Sequence, residues 1–191
     1  MKNIIGLLVF ITIVLILSLS CGFIGIYNNL QALDENANSK WAQVENQLKR
    51  RSDLIPNIVA TVKGYSAHEK SIYEDITSAR EKLAGAISKK DMKAIKSSNN
   101  ELSKTLGRLL AIGESNPELK ANQNFLALQK ELVQTENLLA NARQGYNESV
   151  KLLNTQIRLR PNCIVAWIIR LEQREYFEIT ESESAVPKVQ F

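Results

Sequence analysis

The chain has 191 residues, 45% hydrophobic and 23% charged, a balance that excludes wholesale disorder. Its net charge of +4 comes from 24 basic and 20 acidic side chains interleaved along the sequence. No basic stripe for nucleic acid is formed, and no nucleic-acid partner is expected. Aromatics at 6%, with 8 Gly and 4 Pro, lean toward helices. Two cysteines, Cys21 and Cys163, are too few for a disulfide framework or a metal site by themselves.

From Asn3 to Leu33 there is no charged residue. The apolar centre, residues 4–26, would form a helix of ~35 Å at ~1.5 Å per residue. A hydrocarbon core is about 30 Å thick, so a lipid bilayer is the expected partner of this stretch. Tyr27, Asn28 and Asn29 stand where an interfacial anchor belongs. Three readings are open. An uncleaved anchor is favoured by the length of the apolar run. A lipoprotein signal would end at Cys21, but Ser18 stands where Leu is usual. An ordinary secretory signal would have a shorter apolar region, about 7–15 residues. Lys2 on one side and Lys40 as the first basic residue on the other weakly favour an external main domain.

From Trp41 to Leu83 a largely apolar seam runs in steps of three and four: Trp41, Val44, Leu48, Arg51, Ile55, Ile58, Val62, Tyr65, Glu69, Ile72, Ile76, Ala79 and Leu83. The spacing predicts one continuous helix to about Ala84, kinked where Pro56 removes the amide partner of the Ser52 carbonyl. A competing signal is Ser66-Ala67-His68-Glu69, which has the form of a capping box and would start a new helix. Gly85 and the run Ser88-Lys89-Lys90-Asp91 mark a turn, with Asp91 capping a second helix that Gly113 closes. Asn116-Pro117 is a helix start. A third helix is expected from Pro117 to about Leu159, with Phe125, Leu128, Leu132, Thr135, Leu139, Ala142, Tyr146, Leu153 and Ile157 on its seam. Pro161 ends it, Asn162 to about Arg174 forms a short last helix, and the tail from Thr180 reads as flexible.

The search for chemistry is nearly empty. His68 is the sole histidine, and Glu69 beside it points elsewhere on a helix. Glu181 and Glu183 lie in the tail, which cannot preorganise them. No metal-binding helix motif, phosphate loop or serine elbow is present, so no catalytic, cofactor-binding or metal residue is assigned and no cofactor is expected. The notable polar position is Arg51, which falls on the apolar seam itself. Its guanidinium either snorkels to the bundle edge or joins a buried polar layer, with Glu136 as the candidate carboxylate.

Several blocks resemble the bacterial LemA family. They are Tyr27-Asn28-x-Leu30, Trp41, the run from Gln47 to Asn57 with Arg51 and Pro56, Val62-Lys63-Gly64-Tyr65, His68-Glu69 and Ala79-Arg80. Further along come Leu119-Lys120-Ala121-Asn122, Asn124-Phe125, Thr135-Glu136-Asn137, Ala142-Arg143 with Tyr146-Asn147, and Tyr176-Phe177-Glu178. The family usually has Gly-Phe before the last block, whereas Ile169-Arg170-Leu171 stands here. The resemblance implies a single-pass membrane protein with a helical bundle and no established enzymatic activity. It also implies a cytoplasmic bundle, opposite to the side the flanking charge favours.

The expected fold is all-α: an N-terminal transmembrane helix followed by an antiparallel up-and-down helical bundle of three long helices plus a short C-terminal one. Residues 1–33 form the anchor and linker, 34–179 the bundle and 180–191 the tail. Two functions compete. One is a non-enzymatic scaffold of the cell envelope, binding a protein partner or itself. The other is a ligand-sensing bundle with a pocket lined by Arg51, Tyr65 and Tyr146 that relays a signal through the membrane helix. A hydrolase is the remote third. In the tail, Val189 and Phe191 can fold back onto the bundle or serve as a C-terminal ligand for a PDZ domain.

Overall fold

A computed structural model describes residues 2–65 and 70–177. Six helices follow one another: α1 Lys2–Lys63, α2 Lys70–Ser88, α3 Met92–Ser115, α4 Pro117–Lys120, α5 Gln123–Arg158 and α6 Asn162–Ile168. No strand occurs among the described residues. The all-helical expectation holds. The chain divides into two compact units, one of Met1–Lys40 with Gly145–Phe191, the other of Trp41–Gln144.

In the unit of Trp41–Gln144 the core takes its residues from the seams. Val44, Leu48, Ile55, Ile58 and Val62 of α1 are buried, as are Ile72, Ile76, Ala79 and Leu83 of α2, and Ile95, Leu102 and Leu109 of α3. Phe125, Leu132 and Leu139 of α5 complete it. The helices connect as an up-and-down series. Lys82 Nζ meets Glu101 at 2.8 Å and Arg108 meets Asp75 at 3.5 Å, which fixes α2 and α3 as antiparallel.

The continuous spine to Ala84 is corrected: α1 stops at Lys63, and Gly64-Tyr65 form a turn. Tyr65 N–H donates to the Val62 carbonyl at 3.0 Å, one residue tighter than a helical bond. Three-and-four spacing records which side chains are buried, and both arms of a helical hairpin bury a stripe. The phase therefore carried through a break in the chain. The capping-box segment 66–69 lies outside the described residues.

Gly85 and Gly113 are corrected too, since both lie inside helices. α2 runs on to Ser88 and ends with Lys90 at φ 53. There Asp91 N–H reaches the Ala86 carbonyl and Lys90 N–H the Ile87 carbonyl, the paired bonds of a Schellman stop. Gly113 serves packing, not termination. A Cβ at 113 would collide with the ring of Phe125, which is fully buried.

Asp91 caps α3 as expected, its carboxylate accepting from Ala94 N–H at 3.0 Å. Asn116 caps α4 through Glu118 and Leu119 N–H. The single third helix is corrected, because α4 lasts four residues before Asn122 repeats the device. Its Oδ1 accepts from Asn124 N–H at 2.9 Å and Phe125 N–H at 3.1 Å, starting α5 afresh. Asn122 Nδ2 also donates to Tyr65 Oη at 2.8 Å, tying the α1–α2 turn to this cap.

In the unit of Met1–Lys40 with Gly145–Phe191, Leu30 and Ala37 of α1 pack with Leu153 and Ile157 of α5 and Val165 and Ala166 of α6. Lys40 lies beside Gly145, its Cδ 3.8 Å from where a Cβ would stand, so α1 and α5 run antiparallel here. N-terminal to Ile26 the large apolar side chains of α1 face outward, among them Ile4, Leu8, Leu15 and Leu19. Within Ile4–Lys63 lies the one described stretch long and apolar enough to cross a membrane.

The last helix is also shorter than expected, ending at Ile168 instead of Arg174. Arg170 adopts φ 55, with Leu171 N–H on the Ala166 carbonyl and Arg170 N–H on that of Trp167. This is a second Schellman stop, and it falls in the Ile169-Arg170-Leu171 stretch. Arg170 holds the position where glycine avoids a Cβ clash, and Leu171 fills the apolar place against the Leu30 cluster. Arg170→Gly should raise stability by about 0.5–1 kcal/mol, the relief of left-handed strain less the added freedom of the unfolded chain. An unmoved urea midpoint would show that the turn carries no such strain.

Candidate functional site

A polar layer crosses the core of the Trp41–Gln144 unit. Helix packing turns Arg51 of α1 inward, where its side chain is only 7% exposed. Nη1 donates to Oδ1 of Asn99 on α3 at 3.2 Å and lies 2.9 Å from Oε2 of Glu136 on α5. Asn99 and the adjacent Thr135 are buried, and Glu136 is 42% exposed, reaching in from the rim. The expected partner of Arg51 is thus the observed one. Three helices are fastened at one level, because a guanidinium so little exposed must keep its acceptors.

At the next residue, Ser52, the backbone supplies a second polar contact. Pro56 has no N–H, so the Ser52 carbonyl loses its helical partner. α1 nevertheless continues through Pro56. Arg80 of α2 takes the missing place, Nε donating to the Ser52 carbonyl at 3.0 Å. A proline inside a helix leaves one acceptor open at a known position, so the signal for a donor was in the sequence, but its identity was not.

The other unit is closed by an extended strap, 171–177, held to α5 by asparagines. Asn154 grips the backbone of Arg174, Nδ2 donating to its carbonyl and Oδ1 accepting its N–H, both at 2.9 Å. Asn147 grips Phe177 in the same way, at 3.1 and 2.8 Å. Tyr146 Oη donates to the Glu175 carbonyl at 3.0 Å. Arg174 closes the strap onto α1, with Nε and Nη2 at 2.8 and 2.7 Å from Asp34 Oδ1. The side chain of Phe177, the last residue of the strap, is buried.

Burial pushes the Tyr146 phenol above its ordinary value of 10.0; Arg174 opposes the shift and Glu175 adds to it. The folded state therefore holds this proton more tightly than the unfolded chain does. Its contribution to stability is complete below pH 10 and is lost as pH rises from there through the folded-state value. Tyr146→Phe should lower stability by about 0.5–1.5 kcal/mol at neutral pH and flatten the alkaline loss. Equal alkaline slopes for both proteins would exclude Tyr146 as its source.

Two clefts open between α1 and α2. One, of 570 Å³, is lined by Val59, Lys63, Lys70, Tyr73, Glu74 and neighbours. The other, of 370 Å³, includes Ile55, Pro56, Val59 and Arg80. Neither is lined by Arg51, Tyr65 or Tyr146. The expected sensing pocket is not found at these clefts, since Arg51 is in the polar layer, Tyr65 on the Asn122 cap and Tyr146 on the strap. Among the described residues no three His, Cys, Asp or Glu side chains group so as to hold a metal ion. His68, Glu69, Glu181, Glu183, Val189 and Phe191 lie outside the described residues.

The sequence model of the LemA family matches residues 40–191, taking in both the polar layer and the strap. The chain belongs to the LemA family. Among curated proteins this LemA chain is similar to two magnetosome proteins, MamQ 1 and MamQ 2, of Paramagnetospirillum magneticum. Each is 27% identical over 80% of this chain and 64% of the relative. Magnetosome protein MamQ of Magnetospirillum gryphiswaldense is 28% identical over 79% and 64% respectively. The LemA chain thus spans less than two thirds of the length of these relatives.

Proposed function

We propose that this LemA chain is a membrane-anchored, non-enzymatic scaffold of the bacterial envelope, with a helical surface that holds a protein partner. The observation that carries the reading is α1. Its outward-facing apolar part has the length and composition of a span, and the same helix continues into Leu30 and Ala37 of a packed core. The buried polar groups support a structural part as well. Arg51 holds Asn99 and Glu136, Arg80 a carbonyl, and Asn147 and Asn154 a backbone, contacts that stiffen a surface without converging on a substrate.

The test is photo-crosslinking of the full chain in its native membrane, with the crosslinker placed at positions around the exposed faces of α2 and α3. A discrete product with one envelope protein, or with a second copy, is expected. Only diffuse products at every position would overturn the scaffold reading. Protease digestion of intact cells and inverted vesicles places the helical part on one side in the same experiment.

A further inference from the structure

Helix α6 buries one face and leaves the other bare. Val165 and Ala166 pack against Leu30 and Ala37, while Ile164, Trp167 and Ile168 are 58%, 80% and 53% exposed, with Leu159 before them at 48%. Trp167 is the most exposed large hydrophobic side chain among the described residues. A soluble surface rarely gathers such residues without a use.

The position of this patch says what meets it. Fourteen residues on from Gly145 is Leu159, directly after the end of α5, and fourteen back along α1 from Lys40 is Ile26; Lys40 and Gly145 are neighbours. The antiparallel pair therefore brings Leu159 to the level of Ile26, the last residue of the apolar run. Ile26 itself packs on the cluster that holds α6. The charges agree, for Arg158, Arg160 and Arg170 are exposed around the patch and no acidic residue lies between Gln156 and Leu171. Tryptophan and arginine are the side chains suited to a headgroup layer, the ring taking the apolar boundary and the guanidinium the phosphate.

We propose that α6 is a second membrane contact. Ile164, Trp167 and Ile168 enter the headgroup–acyl boundary of the bilayer that α1 spans, and the three arginines engage anionic phospholipid. The inference rests on the anchoring reading of α1 and adds a patch that steadies the unit against the surface. A patch this small would hold little alone, but the span keeps it at the surface at high effective concentration.

The experiment uses the full chain with Trp41→Phe, so that Trp167 is the only indole. The protein is reconstituted in phosphatidylcholine vesicles with and without phosphatidylglycerol, some carrying lipids brominated near the glycerol end of the acyl chain. Trp167 emission should shift to the blue and lose more than half its intensity to the brominated lipid, most strongly with phosphatidylglycerol. Arg158→Gln, Arg160→Gln and Arg170→Gln together should remove that lipid preference. A water-like emission, unquenched by bromine and open to iodide, overturns the inference. So does an indole shielded equally in detergent and lipid in a concentration-dependent way, which would assign the patch to a second copy. Alkaline carbonate extraction separates the two readings. Unquenched Trp167 in a chain that stays with the membrane defeats the α6 contact alone, whereas a chain washed off the membrane defeats the anchor as well. If Trp41→Phe misfolds, the spectrum of the natural chain minus that of Trp167→Phe gives the same readout.

Discussion

Arg51→Ala should lower the unfolding free energy by about 3 kcal/mol, the low end of the range for breaking a buried ion pair. The low end applies because Glu136 is 42% exposed and recovers water when its partner goes. Asn99, buried with its Oδ1 on the guanidinium, does not recover it. Glu136→Ala should cost less, about 1–3 kcal/mol, since the guanidinium keeps Asn99. Arg51→Met keeps much of the apolar stem and should fall between these losses. The informative quantity is the coupling from urea unfolding of both single variants and the double variant. A coupling of about 1 kcal/mol or more is expected for groups 2.9 Å apart in a mostly buried setting. A value near zero would show that the contact is incidental.

Arg80→Ala should cost roughly 2 kcal/mol, because it leaves the buried Ser52 carbonyl without the charged donor that replaced its helical partner. The explanation has a sharper consequence. Pro56→Ala returns an N–H to the position four residues after Ser52, so the carbonyl regains a helical bond. In that background Arg80→Ala should cost under about 1 kcal/mol, mostly lost packing of the side-chain stem. Equal costs in the two backgrounds would mean that Arg80 acts elsewhere than at Ser52. Pro56 and Arg80 lie far apart in sequence but act as one unit.

The burial pattern was legible in the sequence because side-chain period is a local property. Val44, Leu48, Ile55, Ile76 and Leu83 all sit where three-and-four spacing places them, and Asp91 and Asn116 cap as their chemistry demands. Arg51 and Glu136 were also legible, since a charge on an apolar seam calls for a counter-charge on a neighbouring one. The breaks were not. Gly64-Tyr65 interrupts the backbone without shifting the phase, and Asn122 lacks the following proline that marked Asn116. The strap was invisible for a different reason. An extended segment has no period of its own, and its partners Asn147 and Asn154 stand 30 and 20 residues away as ordinary polar positions on a helix. Likewise nothing in the spacing marked Trp167 and Ile168 as exposed, because an outward apolar face has the same composition as a buried one.

The interleaving of the two units sets an order on their assembly. All residues of the unit Trp41–Gln144 have been synthesised once Gln144 is added, whereas the other unit takes its first helix from the start of the chain and its closing strap from the end. During translation Leu30 and Ala37 therefore wait uncovered until α5 and α6 arrive, and Asp34 waits for Arg174. Long-range closure of this kind is slow and leaves apolar surface open to aggregation or proteolysis. A nascent chain halted before Phe177 would present an incomplete helical face beside the apolar start of α1. Completion of the strap is then the last step that covers this surface, so a finished copy and a truncated one differ in exposed apolar area there.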